Sequence, residues 1–254
     1  MITDPLFYFA AFLAIALVGL SKGGFLSGLG ILGVPILALV ISPVQAAAIM
    51  LPILISMDMV GVWAYRKSYD PTLLKLLIPA SICGIAIAWM AAAYVSEGQV
   101  RLIVGLIALA FTLDHWFDLR GHRARGGAKP GKAAGFFWGA VAGFTSFVSH
   151  AGGPPISMYM LPLRLERTLF VGTNVMLFTV INLVKVLPYF LLGQFSTQNL
   201  LTTAVLLPLA PLWVMAGIYL VRLVPQEPFY RIAYACLFVV SLKLIWDGMH
   251  AFFG

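Results

Sequence analysis

Two short polar clusters interrupt an otherwise apolar chain, and each stands beside a glycine-rich break. The first is Ser21-Lys22, followed by Gly23-Gly24, then Ser27, Gly28 and Gly30. The second is Thr145-Ser146 and Ser149-His150, followed by Gly152-Gly153-Pro154-Pro155, with Gly172-Thr173-Asn174 a short way on. Every polar side chain in these clusters can donate a hydrogen bond; Lys22 adds positive charge, and His150 adds it on protonation. No carboxylate stands close in sequence. Glycine lets the backbone approach a ligand with no Cβ in the way, and a broken helix presents N–H groups whose dipole favours an anion. A donor-rich, acid-free set of this kind suits a small anion with several acceptor oxygens. The candidate substrate-binding residues are therefore Ser21, Lys22, Gly23, Gly24, Ser27, Ser149, His150, Gly152, Gly153, Thr173 and Asn174.

The same residues have plainer readings. Gly24–Gly28 and Gly139–Gly143 fit the small-xxx-small pattern of close helix packing. Serine and threonine in membrane helices commonly bond back to their own backbone. Lys22 can snorkel to an interface, and His150 can be a plain structural histidine. Gly19-Leu-Ser21-Lys-Gly23 also fits G-x-S-x-G. In soluble hydrolases that motif needs a strand before it, whereas an apolar helix precedes it here. An intramembrane serine hydrolase pairing Ser21 with His150 is the alternative function from a different class. There is no HExxH, P-loop, GxGxxG or CxxC, so neither a cofactor nor a metal is invoked.

Asp58, Lys185 and Lys243 are the other ionisable groups within apolar segments. Charge in lipid is costly, so each is a functional candidate by default. Asp58 and Lys185 occupy near-corresponding positions in the two halves of the chain. A mutual ion pair is one reading, and a part for Asp58 or His150 in proton coupling is another. Lys243 reads as facing a cavity or a partner helix. Cys83 and Cys236 read as small buried hydrophobes.

The elements that must position these residues are membrane helices. Of 254 residues, 61% are hydrophobic and 10% charged, against about 25% charged in a soluble domain. The apolar runs do not alternate, which favours helices over a barrel. Ten can be marked: Pro5–Leu20, Leu26–Val40, Val44–Tyr65, Thr72–Val95, Val100–Phe117, Ala133–Val148, Pro154–Leu163, Thr168–Leu192, Asn199–Val221 and Phe229–Phe253. The expected fold is an all-α polytopic membrane protein.

The halves resemble each other. Gly33-Val34-Pro35-Ile36 matches Gly153-Pro154-Pro155-Ile156, and the stretch ending Pro79-Ala80 is echoed by the one containing Pro208-Leu209-Ala210. Arg101 and Trp116 keep the same spacing as Arg231 and Trp246. The chain thus divides into a first repeat (1–118), a basic connector (119–132) and a second repeat (133–254). Five segments per half make the repeats inverted, a common transporter plan. The connector carries Arg120, Arg123, Arg125, Lys129 and Lys132. Placing it in the cytoplasm puts Arg66, Lys67, Arg164, Arg167 and Arg222 there too, as the positive-inside rule requires. That orientation explains the net charge of +7 without nucleic acid. Pro154–Leu163 and its mate Leu26–Val40 are short for about 30 Å of hydrocarbon. They are expected to be broken or re-entrant helices, the usual pointer to a transporter site. The expected partners are the lipid bilayer and a small anionic substrate, with a homo-oligomer left open.

At these residues the chain resembles the sulfite exporter TauE/SafE family, also called the 4-toluene sulfonate uptake permease family. The resemblance is carried by Gly28-Leu-Gly-Ile-Leu-Gly-Val-Pro35 and Gly152-Gly-Pro-Pro155, and by the stretches that follow, Ser42–Ile49 and Leu165–Asn174. Gly172-Thr173-Asn174 matches a family Gly-Thr-Ser/Asn pattern. Met50-Leu51-Pro52 departs from it, as does the break Ser149-His-Ala-Gly-Gly-Pro-Pro. The resemblance implies a secondary transporter in the inner membrane for sulfite, sulfonates or sulfoacetate.

Overall fold

The computed structural model describes residues 2, 4–25, 29–91, 96–117 and 130–253. The basic connector, apart from Pro130–Lys132, and Ser27 lie outside the described residues. Among the described residues there are eleven α-helices and no strand. They are α1 (Pro5–Lys22), α2 (Gly33–Leu37), α3 (Pro43–Tyr65), α4 (Pro71–Met90), α5 (Glu97–Phe117) and α6 (Lys132–Ser149), then α7 (Gly153–Met160), α8 (Arg167–Leu191), α9 (Thr197–Leu206), α10 (Leu209–Leu223) and α11 (Gln226–Phe253). Short 3-10 turns at Leu29–Leu32 and Leu161–Leu163 flank α2 and α7.

Local chemistry sets the helix starts. Asp4-Pro5, Ser42-Pro43 and Asp70-Pro71 each place a capping side chain before a proline at the first turn. Proline costs nothing there, because its missing N–H would have had no partner. The caps accept from Leu6, from Gln45, and from Thr72 and Leu73 respectively.

Six of the helices are long and apolar enough to cross a membrane, α1, α3, α4, α5, α8 and α11. The expected single segment Asn199–Val221 is two helices, α9 and α10, bent by 45° at the Pro208 break. Counted together as one span they make a seventh. Its counterpart Pro79 lies inside an unbroken α4. Polarity is distributed inside out. Phe9, Trp63, Phe190 and Tyr219 are exposed, while Asp58, Asn182 and Lys185 are buried. A water-soluble fold would reverse this; in a bilayer it is the low-energy arrangement. The chain is an all-α polytopic membrane protein.

Four helix pairs carry most of the packing: α4 with α6, α1 with α10, α3 with α8, and α5 with α11. Glycine makes these contacts close. A Cβ on Gly84 would lie 1.9 Å from the Ala140 carbonyl oxygen, and one on Gly143 2.0 Å from that of Ser81. Gly217 meets the Leu20 carbonyl in the same way in the α1–α10 pair.

Both glycine-rich breaks traverse the molecule rather than turning back. The Gly23 carbonyl, just past α1, accepts from the Tyr65 hydroxyl at the last residue of α3. The chain then enters α3 at its opposite end, so the described residues 24–25 and 29–41 lie between the two ends of a 23-residue helix, about 34 Å apart. Likewise His150, just past α6, meets Tyr189 near the end of α8, and residues 151–166 return to the start of α8. The re-entrant alternative is thereby replaced by broken crossings. Basic residues gather at one end. The start of α8 packs on Ser68, beside Arg66 and Lys67, and Arg167 and Arg222 lie in electrostatic reach of Tyr65.

Candidate functional site

The two breaks, α1, α3, α6 and α8 enclose a cavity of about 140 Å³. The end of α1 contributes Ser21 and Lys22, and the first break contributes Gly24 and Gly30. Gly24 has a left-handed φ of +102°, and a Cβ on Gly30 would come within 3.1 Å of the Ser21 hydroxyl. The first break therefore folds tightly over the end of α1, which glycine alone permits.

From α3 the cavity receives Met50, Leu54 and Asp58, and from α8 Asn174, Phe178, Asn182 and Lys185. Both sets repeat at the helical period, so each helix turns one face inward. Ser146 and His150 come from the end of α6, and Gly153 and Ser157 from α7. Nothing lies within 4 Å of a Cβ built on Gly153, so this backbone faces open space at the start of α7.

Two cation centres line the cavity, each with its own set of polar partners. Lys22 pairs with Asp58, whose other oxygen accepts from the Asn182 amide at 2.7 Å. The Asp58 side chain is 1% exposed, so a buried carboxylate is satisfied on both oxygens. The ion pair expected between Asp58 and Lys185 is replaced by this one. Lys185, fully buried, instead contacts the Ser146 carbonyl at 3.2 Å, the Ser146 hydroxyl at 3.1 Å and His150 Nδ1 at 3.3 Å. Across the ring, His150 Nε2 lies 3.0 Å from the Tyr189 hydroxyl. His150 itself sits at φ +52° as the cap of α6. That left-handed conformation is one histidine adopts more readily than most side chains.

Of the sequence-predicted residues, Ser21, Lys22, Gly24, His150, Gly153 and Asn174 line the cavity. Others do not. Gly23 packs against the α10 backbone at Val214 and Gly217, and Gly152 against α6 and Phe178. Thr173 accepts from the Asp70 N–H at 2.9 Å and donates to the Leu169 carbonyl, so it ties α8 to the start of α4. Ser149 is the last residue of α6. Sequence reasoning missed Asn182 and Ser157. The signal for Asn182 was present, because Val171, Asn174, Phe178, Asn182 and Lys185 fall on one face of α8 at helical spacing.

The structure gives the enzymatic reading of the Ser21 motif no support. A Cβ on Gly19 would lie 2.5 Å from Trp213 Cβ, and Gly23 is equally close to Val214. Both glycines are explained by packing on α10. The two ring nitrogens of His150 face Lys185 and Tyr189 rather than Ser21.

A bundle of apolar helices, two of whose crossings break around a buried cavity lined by lysines, defines a multi-pass membrane protein with an internal polar site. The chain belongs to the sulfite exporter TauE/SafE family, whose model matches residues 11–244. That is a family of membrane transporters for sulfite or related anions. Neither the curated proteins nor the solved structures contain a match.

Proposed function

We propose that this chain is a secondary transporter carrying a small sulfur-containing oxyanion, of the sulfite, sulfonate or sulfoacetate class, across the inner membrane. The observation that carries the reading is the charge of the cavity. Among the described residues, Lys22 and Lys185 line it with a single carboxylate, Asp58, already held by Lys22 and Asn182. Among the described lining residues no carboxylate is left for Lys185, and a bound oxyanion supplies its counter-charge. Ser21, Ser157, Asn174 and the open backbone at Gly153 supply further donors to oxygens that accept several hydrogen bonds each.

The two halves are inverted repeats on either side of the 119–132 connector. In support, exchanging equivalent segments maps the α4–α6 contact onto α10–α1, and α3–α8 and α5–α11 onto themselves. The gathering of Arg66, Lys67, Arg167 and Arg222 at one end supports placing that end, and the basic connector, in the cytoplasm. Movement of one half against the other around the cavity would open it to each side in turn.

Liposomes holding only this purified protein test the reading. Radiolabelled sulfite or sulfoacetate should exchange across the bilayer, and Lys22→Met and Lys185→Met should each lower the rate at least about tenfold, the scale of a lost charge-assisted hydrogen bond. Exchange undiminished in both variants would remove the cavity from the transport path.

A further inference from the structure

Among the described residues, Lys185 is the cavity lysine with no ion pair to a carboxylate. It is fully buried, and its contacts are the Ser146 carbonyl, the Ser146 hydroxyl and His150 Nδ1. The charged and titratable groups around Lys185 and His150 are Lys22 at the end of α1, Asp58 on α3, Arg101 on α5 and Tyr189 on α8. Among the described residues the acids in this neighbourhood are already committed, Asp58 to Lys22 and Asp247 to Lys243 and Arg101. An ammonium buried without a counter-ion is costly.

The contacts of Lys185 accommodate either protonation state. As an ammonium, Nζ donates to the Ser146 carbonyl, the Ser146 hydroxyl and His150 Nδ1, and the His150 Nε2–H donates to the Tyr189 oxygen. As a neutral amine, Nζ donates to the two Ser146 oxygens and accepts from the His150 Nδ1–H, and the Tyr189 hydroxyl donates to Nε2. The four distances, 3.2, 3.1, 3.3 and 3.0 Å, fit both patterns. Switching between them changes only the imidazole tautomer and the direction of one hydroxyl, and no polar atom loses its partner in either state. An ordinary structural lysine needs no such two-way partner.

We infer that Lys185, with His150 and Tyr189 as its relay, takes up a proton when the anion binds, so that anion and proton occupy the cavity together. The empty cavity favours the neutral amine. An arriving oxyanion supplies the counter-ion; a proton from solution adds to the Tyr189 oxygen as the Tyr189 proton passes to His150 Nε2 and the Nδ1 proton passes to the Nζ lone pair. Departure of the anion returns that proton to solution. Repeated on the two sides of the membrane, this makes transport a proton–anion symport. The inference rests on the anion site proposed above.

Calorimetry of the purified full chain in detergent tests it. The probes are methanesulfonate and sulfoacetate, which have no group titrating near neutrality, and sulfite, whose own proton exchange is measured separately in buffer. Each is titrated in two buffers of different protonation enthalpy at about pH 8. The expected result is uptake of up to about one proton per anion, with affinity falling by up to about tenfold per unit rise in pH. In Lys185→Met, whatever binding survives should proceed with no proton uptake. Equal heats in the two buffers for the unmodified protein overturn the linkage and leave the anion site standing, and this arm needs no variant to fold. Proton uptake that persists in Lys185→Met also overturns it. Failure of all three probes to bind overturns the anion site and the linkage together.

Discussion

Lys22, the last residue of α1, and Asp58, near the middle of α3, form an ion pair across 36 positions of sequence. Asn182 of α8 completes the carboxylate, so three helices from both halves meet at one buried acid. Removing one partner of a buried pair leaves the other uncompensated, typically costing about 3–5 kcal/mol. Lys22→Met should therefore lower the melting temperature sharply. The double variant Lys22→Met with Asp58→Leu should regain most of that loss while staying inactive in transport. Thermal melts in detergent check this, and a double variant less stable than either single one would contradict the pairing.

Glycines at the helix contacts and at the cavity should respond in opposite ways. A methyl on Gly143 meets the Ser81 carbonyl oxygen at 2.0 Å, so Gly143→Ala must push α4 and α6 apart. Overpacking of this kind costs about 1–3 kcal/mol. Gly153→Ala meets nothing within 4 Å and should leave the melting temperature within a degree or two. Its methyl enters the cavity instead, and should weaken larger sulfonates more than sulfite. Equal destabilisation by both substitutions would show that Gly153 is a packing residue.

Ser21 lines the cavity and its hydroxyl can donate a hydrogen bond. Ser21→Ala should weaken anion binding by roughly threefold to tenfold, the worth of one hydrogen bond. A serine-directed fluorophosphonate should not label the unmodified protein. Labelling at Ser21 would restore the hydrolase reading.

At the start of α8, the Glu166 carboxylate accepts from the Leu169 N–H and the Thr168 hydroxyl, both at 3.0 Å. Partial burial pushes this carboxyl up, but the backbone N–H groups of Thr168 and Leu169, the Thr168 hydroxyl and the Arg167 charge outweigh it and hold it below its ordinary value. A depressed folded-state value contributes stability that is present above the unfolded value and lost as pH falls through the folded one. Melting temperature should therefore decline below about pH 4.3. Glu166→Ala should cost about 0.5–1 kcal/mol at neutral pH, as for other exposed caps, and should make the acid decline shallower. An unaltered acid branch in the variant would count against the cap.

Much of the architecture was legible because membrane helices announce themselves by length. Composition and run length gave the helical membrane class, and the glycine-rich interruptions gave the region of the cavity. Ser21, Lys22, His150 and Asn174 were found because they stand beside those interruptions. Thr173 was misplaced for a geometric reason: adjacent residues of a helix point about 100° apart, so Asn174 faces the cavity and Thr173 faces Asp70. Gly23 and Gly152 pack against neighbouring helices outside the cavity lining, and a glycine that admits a ligand and one that admits a neighbouring helix look the same in sequence. Asp58 and Lys185 were recognised as costly in lipid, but their partners were not. Sequence separation carries no information on which of two lysines reaches a buried acid once the helices have packed. The crossing of the two breaks was likewise hidden, since a hairpin and two short crossings return the chain to the same side.

The proposed oxyanion sits between the two breaks, held by Lys22 and Lys185. Selenite, the selenium analogue of sulfite, marks its own position by anomalous scattering. Crystals of the full chain grown with selenite should show one anomalous peak inside the cavity, within hydrogen-bonding distance of Lys185 and close to Gly153. A cavity without a peak at saturating selenite, or a peak only at the basic end beside Arg66 and Arg167, would contradict the account.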